Sequence, residues 1–277
     1  MDMCRLFGML SVEPSNAIKY VLEDPCSIYV QSKKDPRRLQ GDGWGIGFYE
    51  NGHPRLIKSD KPVYEDYESL SSAVRQAKSR IILAHIRRAS NPRGLPREKI
   101  ISKRNSQPFT YGSYIFAHNG TITIPDEVMS VLGEWKHKIR GVNDSELYFW
   151  FIMKELADDV DLPTALRNFE ATLENLWEER CNRYPDKSRP YVGLNILISD
   201  GKNLYAYCRY DDGKASKSLC FGDQPVFEMS YYVSKEKLVI ASEKTNREED
   251  WRPLRNGQLL TGSIRGNRIE VEMKQLK

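Results

Sequence analysis

The order of apolar runs constrains this chain more than any other feature. Strand-like segments pair in hairpins towards both ends, and helix-like segments gather between them. Asn51-Gly52 separates an apolar run ending at Glu50 from residues 55–59, and Asp200-Gly201 separates residues 194–198 from 204–207. Such dipeptides accept the positive φ angles of tight hairpin turns. Residues 231–233 with 238–241, and 259–261 with 269–271, read as further strands. Residues 4–11 read as an opening strand and 114–117 as another. Ile81-Ile82-Leu83-Ala84-His85-Ile86 is apolar almost throughout and short, the mark of a buried strand. Helices are expected from Pro14 to about residue 24, around Ile28 and Val30, over 65–78, over 147–156 behind Asn143-Asp144-Ser145-Glu146, and from Pro163 to about 179. With no repeat and no clear linker, this order predicts one α+β domain over residues 1–277 and not a doubly wound sheet.

Composition mainly excludes. The chain has 277 residues, 40% hydrophobic and 29% charged, the balance of an ordinary globular protein. A net charge of +4 is mild, and its basic pairs (Lys33-Lys34, Arg37-Arg38, Arg87-Arg88, Lys103-Arg104) are scattered among acidic residues. They read as solvated surface, because a nucleic-acid footprint needs cations clustered on one face. Five cysteines (Cys4, Cys26, Cys181, Cys208, Cys220) are an odd number without Cys-x-x-Cys spacing, so neither a disulfide framework nor a zinc site is expected. No run of about 18 apolar residues and no signal-peptide layout is visible. The expectation is a cytoplasmic protein with reduced thiols and no membrane or nucleic-acid partner.

The candidate chemistry begins at Met1-Asp2-Met3-Cys4-Arg5-Leu6-Phe7-Gly8. A thiol with a pKa of about 8.5 and an α-amine of about 7.7–8.0 can exchange a proton near neutral pH, one way of activating a weak nucleophile. That requires Cys4 to be the first residue, so Met1–Met3 must be removed or translation must begin at Met3. Alternatively, Cys4 is a small buried residue of the first strand, as most unpaired cysteines are. Polar residues follow the buried strands, where a scaffold positions functional loops. Arg87 can fork onto a carboxylate and Asp144 can hold an ammonium. The Asn119 amide and Gly120 N–H can hold a developing oxyanion. Each also has a plain structural role: Asn119-Gly120 as a turn, Asp144 as a helix N-cap, Arg87 in a surface ion pair. A Cys/His dyad of papain type can also be drawn from Cys4 and His118. Gly41-Asp42-Gly43-Trp44-Gly45-Ile46-Gly47 lacks a phosphate-loop or dinucleotide fingerprint and suggests a flexible loop over the pocket.

Met3-Cys4-Arg5-Leu6-Phe7-Gly8, His85-Ile86-Arg87-Arg88-Ala89-Ser90, Ala117-His118-Asn119-Gly120 and Asp144-Ser145-Glu146, in this order, resemble the class II glutamine amidotransferase domain of the N-terminal-nucleophile hydrolases. Gly41–Tyr49 and Ile240-Ala241-Ser242-Glu243 resemble its stand-alone branch. The resemblance implies a four-layer αββα sandwich. It implies Cys4 as nucleophile, its α-amine as base, so that His85 and His118 become packing or orienting groups, and Asn119 and Gly120 as the oxyanion hole. Arg87 would bind the substrate carboxylate, Asp144 its ammonium, and Ser90 would add a hydroxyl contact. It implies no metal or organic cofactor. The substrate would be glutamine or a γ-glutamyl compound, and a separate synthase could receive the ammonia. Arg88 departs from the aromatic residue common in synthase-linked relatives. The rival reading is a non-catalytic amino-acid-binding module in which the leader is retained.

Overall fold

The structure, a computed structural model, describes residues 4–211 and 217–277. Among the described residues the strands are β1 (Arg5–Ser15), β2 (Trp44–Glu50), β3 (His53–Ser59), β4 (Ser79–Ile86), β5 (Phe109–Tyr111), β6 (Tyr114–Ile122), β7 (Tyr191–Ser199), β8 (Leu204–Cys208), β9 (Met229–Val233), β10 (Lys237–Ala241), β11 (Arg252–Leu254), β12 (Gln258–Arg265) and β13 (Arg268–Gln275). The helices are α1 (Ile28–Lys33), α2 (Tyr67–Gln76), α3 (Arg97–Ile100), α4 (Pro125–Ser130), α5 (Asp144–Ala157) and α6 (Leu162–Arg180). Two antiparallel sheets form, in the orders β11-β9-β10-β1-β4-β2-β3 and β13-β12-β8-β7-β6-β5.

Side-chain alternation along the strands makes the layers. On β1, Leu6 and Leu10 enter the core between the sheets, where they meet Ala117, Leu197 and Leu260. Phe7 and Met9 point the other way, onto α1 and α2 through Ile28, Leu70 and Val74. On β6, Ile115 and Ala117 face between the sheets, while Phe116 packs under α5 and α6 against Tyr148 and Phe169. The result is the four-layer αββα sandwich. Helix α5 carries ten successive buried residues, Asp144–Met153. A helix apolar nearly all round is one with protein on every side, here β6, α4 and α6.

Most expected elements form, with four local corrections. Strand β1 runs on to Ser15, and the segment after Pro14 shortens to a single π-helical stretch, Lys19–Glu23. The glycine-rich segment becomes the expected hairpin strand, β2, from Trp44, and is no flexible cover: buried Trp44 donates from Nε1 to Asp66 at 3.0 Å. Asn119-Gly120 is not a turn but the middle of β6, paired with Asn195 and Leu194. The cap of α5 is Asn143, whose side chain accepts the Ser145 N–H, so Asp144 is left for other work.

The thiols also differ from expectation. Cys26 and Cys220 are joined in a disulfide across 194 residues, with Cα atoms 6.1 Å apart. Glu243 lies beside both sulfurs, but its carboxylate accepts the N–H groups of Leu219, Cys220 and Phe221 and each sulfur is bonded to the other. Among the described residues no helix is long and apolar enough to cross a membrane.

Candidate active site

Cys4 stands at the N-terminal edge of β1, 8% exposed, and β1 pairs with β4 so that Arg5 lies opposite Ile86. The thiol therefore meets the chain just where β4 ends. Its Sγ donates to the Arg88 carbonyl at 3.3 Å and accepts the Arg88 N–H at 3.4 Å. Burial pushes the thiol up to about 11, although the Arg88 N–H and the Arg87 charge oppose it; Asp144 and Asp42 push it up further. Arg87, Asp144 and Asp42 thus all lie within electrostatic reach of the sulfur. Met1–Met3, the expected leader, are outside the described residues.

Arg87 is 3% exposed. Its backbone locks onto the glycine loop through Arg87 N to Gly43 O (2.8 Å) and Asp42 N to Arg87 O (3.1 Å). Its Nη1 donates to the carbonyls of Ile100 (2.7 Å) and Asp42 (3.3 Å). Burial lowers its pKa, and the opposing charges of Cys4, Asp42 and Asp144 raise it. It is no surface ion pair. Asp144 accepts the Ile122 N–H on Oδ2 (2.8 Å) and the Ser90 hydroxyl on Oδ1 (3.1 Å). Arg87 and Ser90, three residues apart, and Asp144, 54 residues beyond Ser90, are brought to one place near Cys4.

Asn119 follows Ala117 on the inner face of β6, as Cys4 precedes Leu6 on the inner face of β1. The Asn119 side chain is 1% exposed and neither Oδ1 nor Nδ2 has a partner. Buried amides are normally satisfied, since an orphaned group costs about 1–3 kcal/mol. At Gly120 a Cβ would collide with the Gly193 carbonyl on β7.

His118 faces the opposite way. Its ring contacts Ser145 Oγ (2.8 Å) and the Gly193 carbonyl (3.0 Å), while Gln107 binds its backbone N–H and C=O. It orients the junction of β6 and α5 and cannot form a dyad with Cys4. His85 is buried among the strands with neither ring nitrogen partnered, and burial lowers it to about 3, keeping it neutral.

One positioning residue escaped the sequence reading. Asp42 Oδ2 accepts the Ala89 N–H (2.8 Å) and Oδ1 accepts Arg97 (2.6 Å), tying the turn after Arg87 to α3. The signal was present as an Asp between two glycines, Gly41-Asp42-Gly43. Gly43 has φ of +110°, which a side chain rarely tolerates.

The family model described as "Glutamine amidotransferases class-II" matches residues 3–276. A probable glutamine amidotransferase of Saccharomyces cerevisiae is 27% identical over 94% of this chain and 81% of its own length. The gamma-glutamyl-hercynylcysteine sulfoxide hydrolase of Mycobacterium tuberculosis is 35% identical over 43% of this chain and 50% of its own. Among solved structures, a glutamine aminotransferase class-II domain protein from Silicibacter pomeroyi superposes with a TM-score of 0.62, covering 97% of this chain and 98% of that one. At 18% identity that likeness is one of fold. With the family matched along nearly the whole chain, this protein belongs to the class II glutamine amidotransferases, enzymes that act on amides.

Proposed function

We propose that the chain is a single-domain amidase in which Cys4, exposed as the first residue by loss of Met1–Met3, cleaves the side-chain amide of glutamine or of a γ-glutamyl compound. The freed α-amine takes the thiol proton, and the thiolate attacks the γ-carbonyl carbon. The oxyanion that forms is held by Asn119 Nδ2 and the Gly120 N–H. Collapse breaks the C–N bond; the amine leaves with the proton held by the α-ammonium, and a γ-glutamyl thioester remains on Cys4. Water, deprotonated by the same amine, hydrolyses the thioester. Arg87 holds the substrate carboxylate, and Asp144, steadied by Ser90, holds its ammonium.

The observation that carries this reading is the buried Asn119 amide with both polar atoms unpartnered, on the β6 face turned towards β1. Donors preorganised for a charge that appears only in the transition state are the main source of such catalysis, and losing one costs about 10²–10³ in kcat. Asn119→Ala should lose that much while melting no lower than wild type, because an unsatisfied buried amide is removed. Unchanged kcat would contradict the assignment. A retained leader leaves only a buried thiol raised to about 11 and no base, which is the binding-module alternative.

A preference for γ-glutamyl conjugates over glutamine is supported by the 35% identity over 126 residues to the sulfoxide hydrolase. Release of ammonia from glutamine, compared with amine release from γ-glutamyl peptides at equal enzyme, separates the two. Delivery of ammonia to a separate synthase is the further reading suggested by likeness to the amidophosphoribosyltransferase of Methanocaldococcus jannaschii, 23% identical over 99% of this chain and half of its own, longer chain.

A further inference from the structure

A sizeable cavity lies away from these residues. It has a volume of about 640 Å³ and opens between β3, β5 and the start of α5. None of Cys4, Arg87, Ser90, Asn119, Gly120 or Asp144 lines it. Its apolar wall is Leu56, Phe109, Phe149 and Trp150, and its rim is basic: Lys58, Lys103, Arg104, Lys138 and Arg140. A neighbouring cleft of about 480 Å³ shares Lys103, Arg104 and Arg140 and adds Lys99. The only carboxylates in the two linings are Asp60 and Glu146. The +4 chain thus concentrates six cations at one place.

Among the described residues, no carboxylate lies within 4.0 Å of Lys58, Lys103, Arg104, Lys138 or Arg140. Glu146 is already committed: it accepts the N–H groups of Arg140 (2.9 Å), Gly141 (2.8 Å) and Trp150 Nε1 (3.4 Å). Lys58 is anchored to the Ser106 carbonyl at 2.7 Å with its ammonium over the Phe109 ring. Burial lowers it to about 8 against the pull of Glu146. A half-buried ammonium with no anion in contact gains when one arrives.

The aromatic side is equally specific. Tyr111, Trp135 and Trp150 meet edge to face or tilted at 5.3–6.0 Å between centroids, and Tyr111 is 42% exposed. Lys138 Nζ sits 5.0–5.9 Å from all three rings. Cations that can grip phosphate oxygens, next to a wall that can take a flat ring, describe a ligand with both parts. The volume falls in the range of about 300–1,000 Å³ usual for small-molecule sites. An acidic peptide would answer the charges but not the rings.

We propose that this cavity binds a free nucleoside phosphate, with the base against Tyr111 and Trp150 and the phosphates on Lys58, Lys103, Arg104 and Arg140. The site is independent of the amidase reading, because binding can be measured whether or not the protein turns over glutamine.

The test is calorimetric titration of the full chain at 0.15 M salt with ATP, GTP and CTP, and with adenosine and tripolyphosphate as half-ligands. At least one nucleotide should bind saturably, and adenosine and tripolyphosphate should each bind at least about tenfold more weakly, which is about 1.4 kcal/mol. The exposed-rim variant Lys103→Glu/Arg104→Glu should lose at least about tenfold in nucleotide affinity with unchanged Tm; Arg140→Glu is the second variant should that one misfold. Absence of saturable nucleotide binding would overturn the proposal. So would tripolyphosphate binding as tightly as the best nucleotide, or rim variants that bind like wild type. Single-stranded oligoadenylate binding more than about tenfold tighter than ATP would overturn it in favour of a nucleic-acid strand.

Discussion

Gly120 and Asn119 sit side by side on β6, yet they are constrained by different forces. A Cβ at 120 would strike the Gly193 carbonyl, with His118 Nε2 2.8 Å away, so backbone must move. Gly120→Ala should cost at least about 1–3 kcal/mol in a urea melt and lose activity with it; a variant as stable as wild type would show that β6 and β7 are less tightly apposed. Cys4 gives the pH prediction. With its pKa raised to about 11, the thiol of the leader-bearing chain is protonated at pH 7. Alkylation by iodoacetamide should be slow there and accelerate towards pH 11. The same shift means the unfolded chain loses this proton first as pH rises above the ordinary thiol range, so Cys4 lowers stability in alkaline solution. Sequence displayed the types and order of these residues. It did not display their strand positions: Asn-Gly reads as a turn locally, and only pairing with Asn195 and Leu194 makes it strand. Nor could it display the reach of the Asp42 carboxylate to Arg97, 55 residues on.

At the scale of elements, α6 is held to its sheet by a buried polar knot as well as by Leu166, Phe169 and Leu173. Glu170 accepts from Tyr191 (2.9 Å), Tyr207 (3.2 Å), Arg209 Nε (2.7 Å) and Lys277 (2.9 Å). Burial alone would raise this carboxyl, but the bonds to Arg209 and Lys277 more than offset it and the pKa is lowered. Its contribution is present above the ordinary glutamate range and is lost as pH falls through the lowered value. Glu170→Ala leaves the Arg209 guanidinium without its buried anion and should cost about 3–5 kcal/mol; a thermal melt within a degree of wild type would contradict this. The long elements were legible because their signals are local. Asn51, at φ +52°, and Gly52, at +80°, make the expected hairpin turn, and α5 announces itself by a cap and an unbroken apolar run. The short strands β5 and β11, three residues each, carry too little periodicity to be read and exist through pairing with β6 and β9.

For the whole molecule, the sandwich follows from strands with two apolar faces in both sheets, which must be covered on both sides. The Cys26–Cys220 disulfide ties the segment before α1 to the loop preceding β9. Closing a loop this long stabilises a native state by about 2–5 kcal/mol, so reduction, or Cys26→Ser, should lower Tm measurably. Equal melting with and without reductant would exclude the bond in solution. Residues 194 apart cannot advertise such a pairing through spacing, and an odd cysteine count concealed it further. The proposed amidase requires Cys4 to act with its own α-amine. The most direct measurement is the N-terminal residue of turnover-competent enzyme, trapped on Cys4 with a γ-glutamyl electrophile and mapped by intact and peptide mass. The trapped species should begin at Cys4 with an unblocked amine. A fully active, trapped chain that still begins at Met1 would contradict the account.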